Sequence, residues 1–282
     1  MKFWRWELQP VAVFSLCAWG VLLAVAPLHA EEPASSRELD VWGRFAKGSW
    51  KQTRIISESL DETGKVTATT TTDVRTTIVG VDSNKVTLRI NVTVEAGGKR
   101  YETEPQTVQH GYYGEGPNQL TRIRDLGKSD VTIDGKTFSC RVQEVSIDGG
   151  RQKTVSKLFQ SDSQAPYVLR RETAFTDSSN PTANHDETAE VMMLEMPYKV
   201  RSEIKPAAFE RAVQKNGKGT TITVDVTSVD VPGGIVMRTL KELDAQGRVT
   251  RRSTVELLDY SAEEEQPSDY RPRLFHRRRA RN

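Results

Sequence analysis

The sequence predicts a mainly β protein: a large, curved antiparallel sheet or meander of about twelve strands, half-barrel-like, with one or two short helices. Three observations carry this. Apolar and polar residues alternate over long stretches, as in Val86, Leu88, Ile90, Val92 and Val94 against Thr87, Arg89, Asn91, Thr93 and Glu95. A period of two puts one face on a core and the other in water. Turn chemistry recurs between these runs, and the intervals leave no room for crossover helices, so neighbouring strands run antiparallel.

Residues 1–30 stand apart from this pattern. Lys2 and Arg5 precede an uncharged apolar run from Val11 to Ala26, and an acidic stretch begins at Glu31 and Glu32. That order is a secretory signal peptide, with cleavage expected after Ala30. The competing reading is an uncleaved anchor, but the run falls short of the ~20 residues that cross a bilayer as a helix. Cys17 does not read as a lipoprotein site, because Leu16 before it is bulky and the apolar run continues past it. The expected location is therefore secreted or periplasmic, with no transmembrane span after cleavage.

Of 282 residues, 36% are hydrophobic and 28% charged, with a net charge of +2. This excludes collagen, coiled-coil rods, disulfide miniproteins and polytopic membrane proteins. Without residues 1–30 the hydrophobic share falls to about a third, so the core is thin and no intrachain disulfide can form around the remaining Cys140. Cys140 alternates with Phe138 and Val142 and reads as a small buried hydrophobe rather than a nucleophile.

Along the mature chain, residues 31–40 are polar, and Ser36 is placed to cap a short helix running through Leu39, Val41, Trp42 and Phe45 to Gly48. Strands follow. The threonines of 67–77 suit the wet side of a sheet. Ile222, Val224 and Val226 repeat the alternation, and Val249, Val255 and Leu257 do so more loosely. Turns fall at Asp61–Gly64, Asp82–Asn84, Ala96–Gly98, Asp134-Gly135, Asp148–Gly150 and Asp244–Gly247. Longer breaks fall at 111–118, 177–186 and 201–219. The third contains Pro206-Ala-Ala-Phe-Glu-Arg-Ala-Val213, the best helix candidate, with Pro206 in a permitted first-turn position. The expected organisation is a signal peptide at 1–30, an N-terminal β-meander at 31–118, a C-terminal meander at 119–260 that either continues the first sheet or stands beside it, and a tail at 261–282.

Two segments echo each other. Gln160-Ser-Asp-Ser-Gln-Ala-Pro166 leads into Val168-Leu169-Arg170, and Thr227-Ser-Val-Asp-Val-Pro232 leads into Ile235-Val236-Met237-Arg238. A strand, a serine-to-proline approach, an apolar strand and a closing strand resemble the closing hairpins of periplasmic lipoprotein-carrier half-barrels. That resemblance covers about 40 residues per copy and implies an unclosed barrel that holds acyl chains. The run Trp42-Gly43-Arg44-Phe45 to Gly48-Ser49-Trp50, with Glu104-Pro105-Gln106-Thr107, resembles uncharacterised secreted β-rich proteins of planctomycete bacteria, a family that implies no activity.

Motifs for chemistry are sparse. His110, His185 and His276 are far apart, so no metal site is expected. Gly-x-Ser-x-Gly, Gly-x-Gly-x-x-Gly and the lysine phosphate loop are absent. Gly111-Tyr-Tyr-Gly-Glu-Gly116 reads as a packed crossover rather than a phosphate cradle. Glu102, Glu104, Glu144, Glu172 and Glu195 are strand-like carboxylates from which no pair stands out. The tail is distinctive: 261–269 is acidic, and 270–282 carries Arg271, Arg273, Arg277, Arg278, Arg279 and Arg281 with no acid. Such an asymmetry suits an anionic surface, aided by Leu274 and Phe275; secretion argues against nucleic acid.

The expectation drawn from these features is a non-enzymatic envelope protein that needs no cofactor and binds or carries an apolar or lipid component. Its candidate face is Leu88, Ile90, Val92, Ile222 and Val224. An interaction module using the arginine tail is the alternative, and a hydrolase of envelope polymers a remote one.

Overall fold

A computed structural model describes residues 36–262. The predicted signal peptide, its cleavage point and the tail arginines from Arg271 to Arg281 lie outside the described residues. After a short helix α1 (Ser36–Leu39) the chain forms β1 (Trp50–Leu60), β2 (Val66–Val81), β3 (Lys85–Ala96), β4 (Lys99–Glu102) and β5 (Gln106–Gly111). It continues through β6 (Leu120–Ile133), β7 (Lys136–Asp148), β8 (Gln152–Gln160) and β9 (Val168–Asp177). A single 3-10 turn (Pro181–Ala183) precedes β10 (His185–Val200), β11 (Glu203–Asn216), β12 (Gly219–Thr227), β13 (Ile235–Asp244) and β14 (Val249–Ser261).

All fourteen strands belong to one antiparallel sheet in the order β4-β3-β2-β1-β14-β13-β12-β11-β10-β9-β8-β7-β6, with β5 beside β3. The N-terminal strands join the rest through β1 and β14, paired from Trp50–Ser261 to Ser59–Arg251. β5 and β6 lie on opposite margins, and yet they are consecutive in the chain. Twelve inter-strand gaps of about 4.8 Å would separate the margins by roughly 58 Å if the sheet were flat. Nine peptide steps from Gly111 to Leu120 reach at most about 32 Å. The sheet must therefore curl, and it does so without closing, because neither margin is hydrogen-bonded to the other.

The loop that bridges this gap is the tyrosine pair. Tyr112 packs with Phe45, Ile78, Val86 and Leu88, while Tyr113 packs against Val145, Ile147 and Leu158. The Tyr112 hydroxyl also donates to the carbonyls of Asp82 and Lys85. Gly111 leaves room for the Glu115 carboxylate, which accepts from the Tyr113 N–H and would have to move to admit a Cβ at 111. The glycine-rich segment is thus a packed crossover.

The predicted turns are present as hairpins. Asp61 closes the first through its side chain, which accepts from the N–H groups of Thr63 and Lys65, and Asp244 does the same for Gln246 and Arg248. Cys140 is fully buried with Val142, Phe159 and Leu169, and Phe138 packs on the same cluster. Burial raises its thiol pKa.

Two expectations need correction. Residues 206–213 are not a helix but the centre of β11, paired with β10 on one side and, from Ala208 onward, β12 on the other. Helix propensity is worth only tenths of a kcal/mol per residue, and two flanking ladders override it. Pro206 is tolerated because β12 does not reach it and its β10 partner is Pro197, so neither needs a donor. The N-terminal helix is also shorter than expected, ending at Leu39. The Asp40 carboxylate then accepts from the N–H groups of Trp42 and Gly43, which turns the chain so that Trp42 and Phe45 pack against the sheet.

Candidate functional site

The register decides where the predicted apolar face lies. Val94, Thr72, Ile55, Val255, Arg238, Asp225 and Glu210 are successive cross-strand partners from β3 to β11. Cross-strand partners share a face, so Leu88, Ile90 and Val92 lie on the same face as Asp225 and Glu210. Ile222 and Val224, one step out of phase with Asp225, point to the other face, and Val224 is 42% exposed. The five residues therefore do not form one surface. Leu88 is sealed under Phe45 and Tyr112, and Ile90 and Val92 are partly buried.

A cavity of about 220 Å³ lies farther along the face of Glu210. Its floor is β10 and β11, through Glu195, Pro206, Ala207, Ala208 and Glu210. Two loops wall it: Gln164, Ala165 and Pro166 from the β8–β9 connection, and Ser228, Val229, Val231 and Gly234 from the β12–β13 connection. These are the two segments that echo each other in the sequence. Val41 and Arg44 of the N-terminal segment complete the lining.

Each wall is held by its own backbone. Ser228 N–H donates to the Gly234 carbonyl at 2.8 Å, and Gly233 N–H donates to Val41 at 2.9 Å, tying the loop to the N-terminal segment. Lys51, 9% exposed, clamps the same junction from the sheet: its ammonium donates to the Gly233 carbonyl at 3.1 Å and lies 5.0 Å from the Trp42 ring centre. Burial first, and Arg238 second, lower the Lys51 pKa to about 8, with Asp225 opposing. The β8–β9 loop is closed by Ser161 N–H to Tyr167, and the Ser161 hydroxyl accepts from Gln164 N–H.

The polar groups at the cavity are unevenly satisfied. Among the described residues the Ser228 and Thr227 hydroxyls have no hydrogen-bond partner, and both oxygens are closed off from the open space of the cavity. Among the described residues no hydrogen bond or ion pair reaches the carboxylates of Glu195 or Glu210. Burial raises the Glu210 pKa, Arg171 and Arg238 pull it down, and Asp225 and Glu187 push it further up. Arg238 is committed elsewhere, gripping Asp225 with two bonds of 2.7 and 2.6 Å. Arg44 is engaged through the Asp40 carbonyl and the Tyr167 ring, 5.6 Å from its guanidinium carbon; burial lowers its pKa against the pull of Tyr167 and Asp40.

Of the strand carboxylates singled out by sequence, Glu195 reaches the cavity; Glu144 and Glu172 are spent in ion pairs with Arg124 and Arg170. Glu210 and Ser228 were not anticipated. Glu210 sits within the segment that read as a helix, and Ser228 within the echo, which was the one available signal. His110 Nδ1 donates to the carbonyl of its own neighbour Gly111, and His185 stacks on Phe175 at 5.0 Å. Among the described residues no group of three or more His, Cys, Asp or Glu could hold a metal, and no helix is long and apolar enough to cross a membrane.

No protein-family model matches the chain, and no curated protein matches it in sequence. Two solved structures are similar. One is a protein from Bacteroides fragilis described as exported with a YmcC-like fold, at 8% identity and a TM-score of 0.33, covering 77% of this chain and 97% of that one. The other is a protein from Parabacteroides distasonis described as a lipoprotein, at 8% identity and a TM-score of 0.34, covering 79% and 98%. Neither likeness carries an argument about what this chain does.

Proposed function

We propose that this is a non-enzymatic envelope protein that is exported through its N-terminal segment and binds a small amphipathic ligand in the cavity between the two echo loops. The observation that carries the reading is the lining: Val41, Pro166, Pro206, Ala208 and Val231 supply apolar walls around the Glu210 carboxylate, which no hydrogen bond or ion pair reaches among the described residues. Binding pockets combine apolar walls with a few placed polar groups in this way. The resemblance of the echo hairpins to lipoprotein carriers points in the same direction. The arginine-rich tail serves this reading as a tether to an anionic surface.

Two carboxylates, Glu195 and Glu210, line the same cavity and favour the hydrolase alternative. The binder reading is preferred because no hydrogen bond or ion pair among the described residues positions either carboxylate for acid–base work. The test is the intact mass of the protein, purified from its native host, under non-denaturing conditions. A mass beginning at Glu31 with a discrete small-lipid adduct supports the proposal. A mass retaining residues 1–30 refutes cleavage, and a bare mass refutes a tightly held cargo.

A further inference from the structure

Ile204, Pro206, Ala208 and Glu210 alternate on one face of β11. The bulges in this ladder fall on β10, between Val191 and Met193 and between Met193 and Met196, so the β11 row is regular. The row is graded. At its outer end Ile204 is 68% exposed, Ala208 is 4% exposed, and at its inner end Glu210 faces Asp225 across the ladder. The cavity thus has an apolar approach and a polar end. At the polar end stand Glu210, Thr227 opposite Ala208, and Ser228.

The charges at this end are not balanced. The lining contains two carboxylates, Glu195 and Glu210, and one cation, Arg44. Arg44 is already turned to the Asp40 carbonyl and the Tyr167 ring. Asp225 is satisfied by Arg238. Arg171 is paired with Glu187. The carboxylates of Glu195 and Glu210 are left without a hydrogen bond or ion pair among the described residues. A carboxylate, phosphate or sulfate head would meet Glu210 as a like charge, whereas an ammonium head brings the opposite charge and the N–H donors a carboxylate accepts.

We propose that the cavity selects an amphiphile bearing a primary ammonium, bound head-inward on Glu210 with its tail over Ala208, Pro206 and Ile204. This rests on the small-ligand reading of the cavity and specifies its chemistry. The cavity is half-open rather than enclosed. A longer tail continues along the exposed Pro206–Ile204 row.

The test is calorimetric titration of the purified protein at pH 7 with three eight-carbon probes: n-octylammonium, n-octanol and n-octanoate. Octylammonium is expected to bind at least tenfold more tightly than either of the others. Glu210→Gln should erase that advantage while leaving octanol binding unchanged, and Ala208→Phe, which fills the cavity, should abolish binding of all three. If octanol and octanoate bind as well as octylammonium, or if Glu210→Gln leaves the preference intact, the head-group assignment is overturned and the ligand cavity stands. If none of the three binds at millimolar concentration, both fall. Dihexanoyl phosphatidylethanolamine and phosphatidylcholine distinguish the source. Preference for the ethanolamine lipid assigns an aminolipid head, and octylammonium binding without it assigns a free amine; each supports the ammonium site.

Discussion

The wall of the cavity is pinned at one residue, and its replacement is the most direct check on how the site is built. Gly233 and Gly234 both have φ of +71°, so alanine at either position incurs the left-handed backbone cost, about 1–2 kcal/mol. Their surroundings differ. A Cβ on Gly233 would lie 2.5 Å from the Trp42 ring and 2.8 Å from the Lys51 ammonium, whereas a Cβ on Gly234 meets nothing closer than 3.5 Å, at Val41. Neither Trp42 nor Lys51 can yield freely, because the lysine holds the Gly233 carbonyl and the ring packs on the Phe45–Leu88 cluster. Overpacking of this kind adds about 1–3 kcal/mol. Gly234→Ala should therefore cost only the backbone term, and Gly233→Ala about 2 kcal/mol more. Measured by urea unfolding with tryptophan fluorescence, and with a slope of about 3 kcal/mol/M, the Gly233→Ala midpoint should fall roughly 0.7 M below that of Gly234→Ala. Equal midpoints would show that Trp42 does not pack on this loop, and the account of the cavity wall would fail.

Three further outcomes are expected. Arg238→Met should destabilise by about 3 kcal/mol, the lower end for a pair whose arginine is 37% exposed, because it strands the buried Asp225 carboxylate; the double variant Asp225→Leu, Arg238→Met should recover most of that loss in the same urea assay. In the folded protein burial holds the Lys51 pKa at about 8, below the ordinary lysine value of 10.5. In the window between them the unfolded chain binds the proton and the folded chain does not, so this residue makes stability rise with pH. Comparing the wild type with Lys51→Met at pH 7 and pH 10 should show the wild type gaining about 2 kcal/mol on the variant; a pH-independent difference would contradict the burial of the ammonium. In the chain beginning at Glu31, Cys140 is the only cysteine and is 0% exposed, so it should be silent to a thiol reagent until denaturant is added. Prompt labelling of the native protein would place it at the surface.

The architecture was legible because it is local. Period-two runs such as Val86–Val94, and turns such as Asp61–Gly64 and Asp244–Gly247, specify strands and hairpins using residues a few positions apart, and consecutive hairpins can only build an antiparallel meander. Where local signals conflicted with pairing they failed. The alanine-rich 206–213 segment has the composition of a helix, and it becomes β11 because ladders form on both of its sides. That error hid Glu210, the acid around which the site is organised.

The proposed apolar face failed for a related reason. Alternation shows that Leu88 and Val224 each have a face, but not which faces coincide; that depends on the register carried across every strand between them. A one-residue step reverses the outcome. The echo segments were visible as a repeated pattern, and only the curl of the sheet brings loops separated by about sixty residues to opposite sides of one cavity. The sequence by itself determined most of the strands, the tight turns and the burial of Cys140, because each is written in neighbouring residues. The tertiary structure alone decided the sheet order, the pairing of β1 with β14, and the meeting of Glu210, Ser228 and Arg44, since these depend on contacts between residues far apart in the chain.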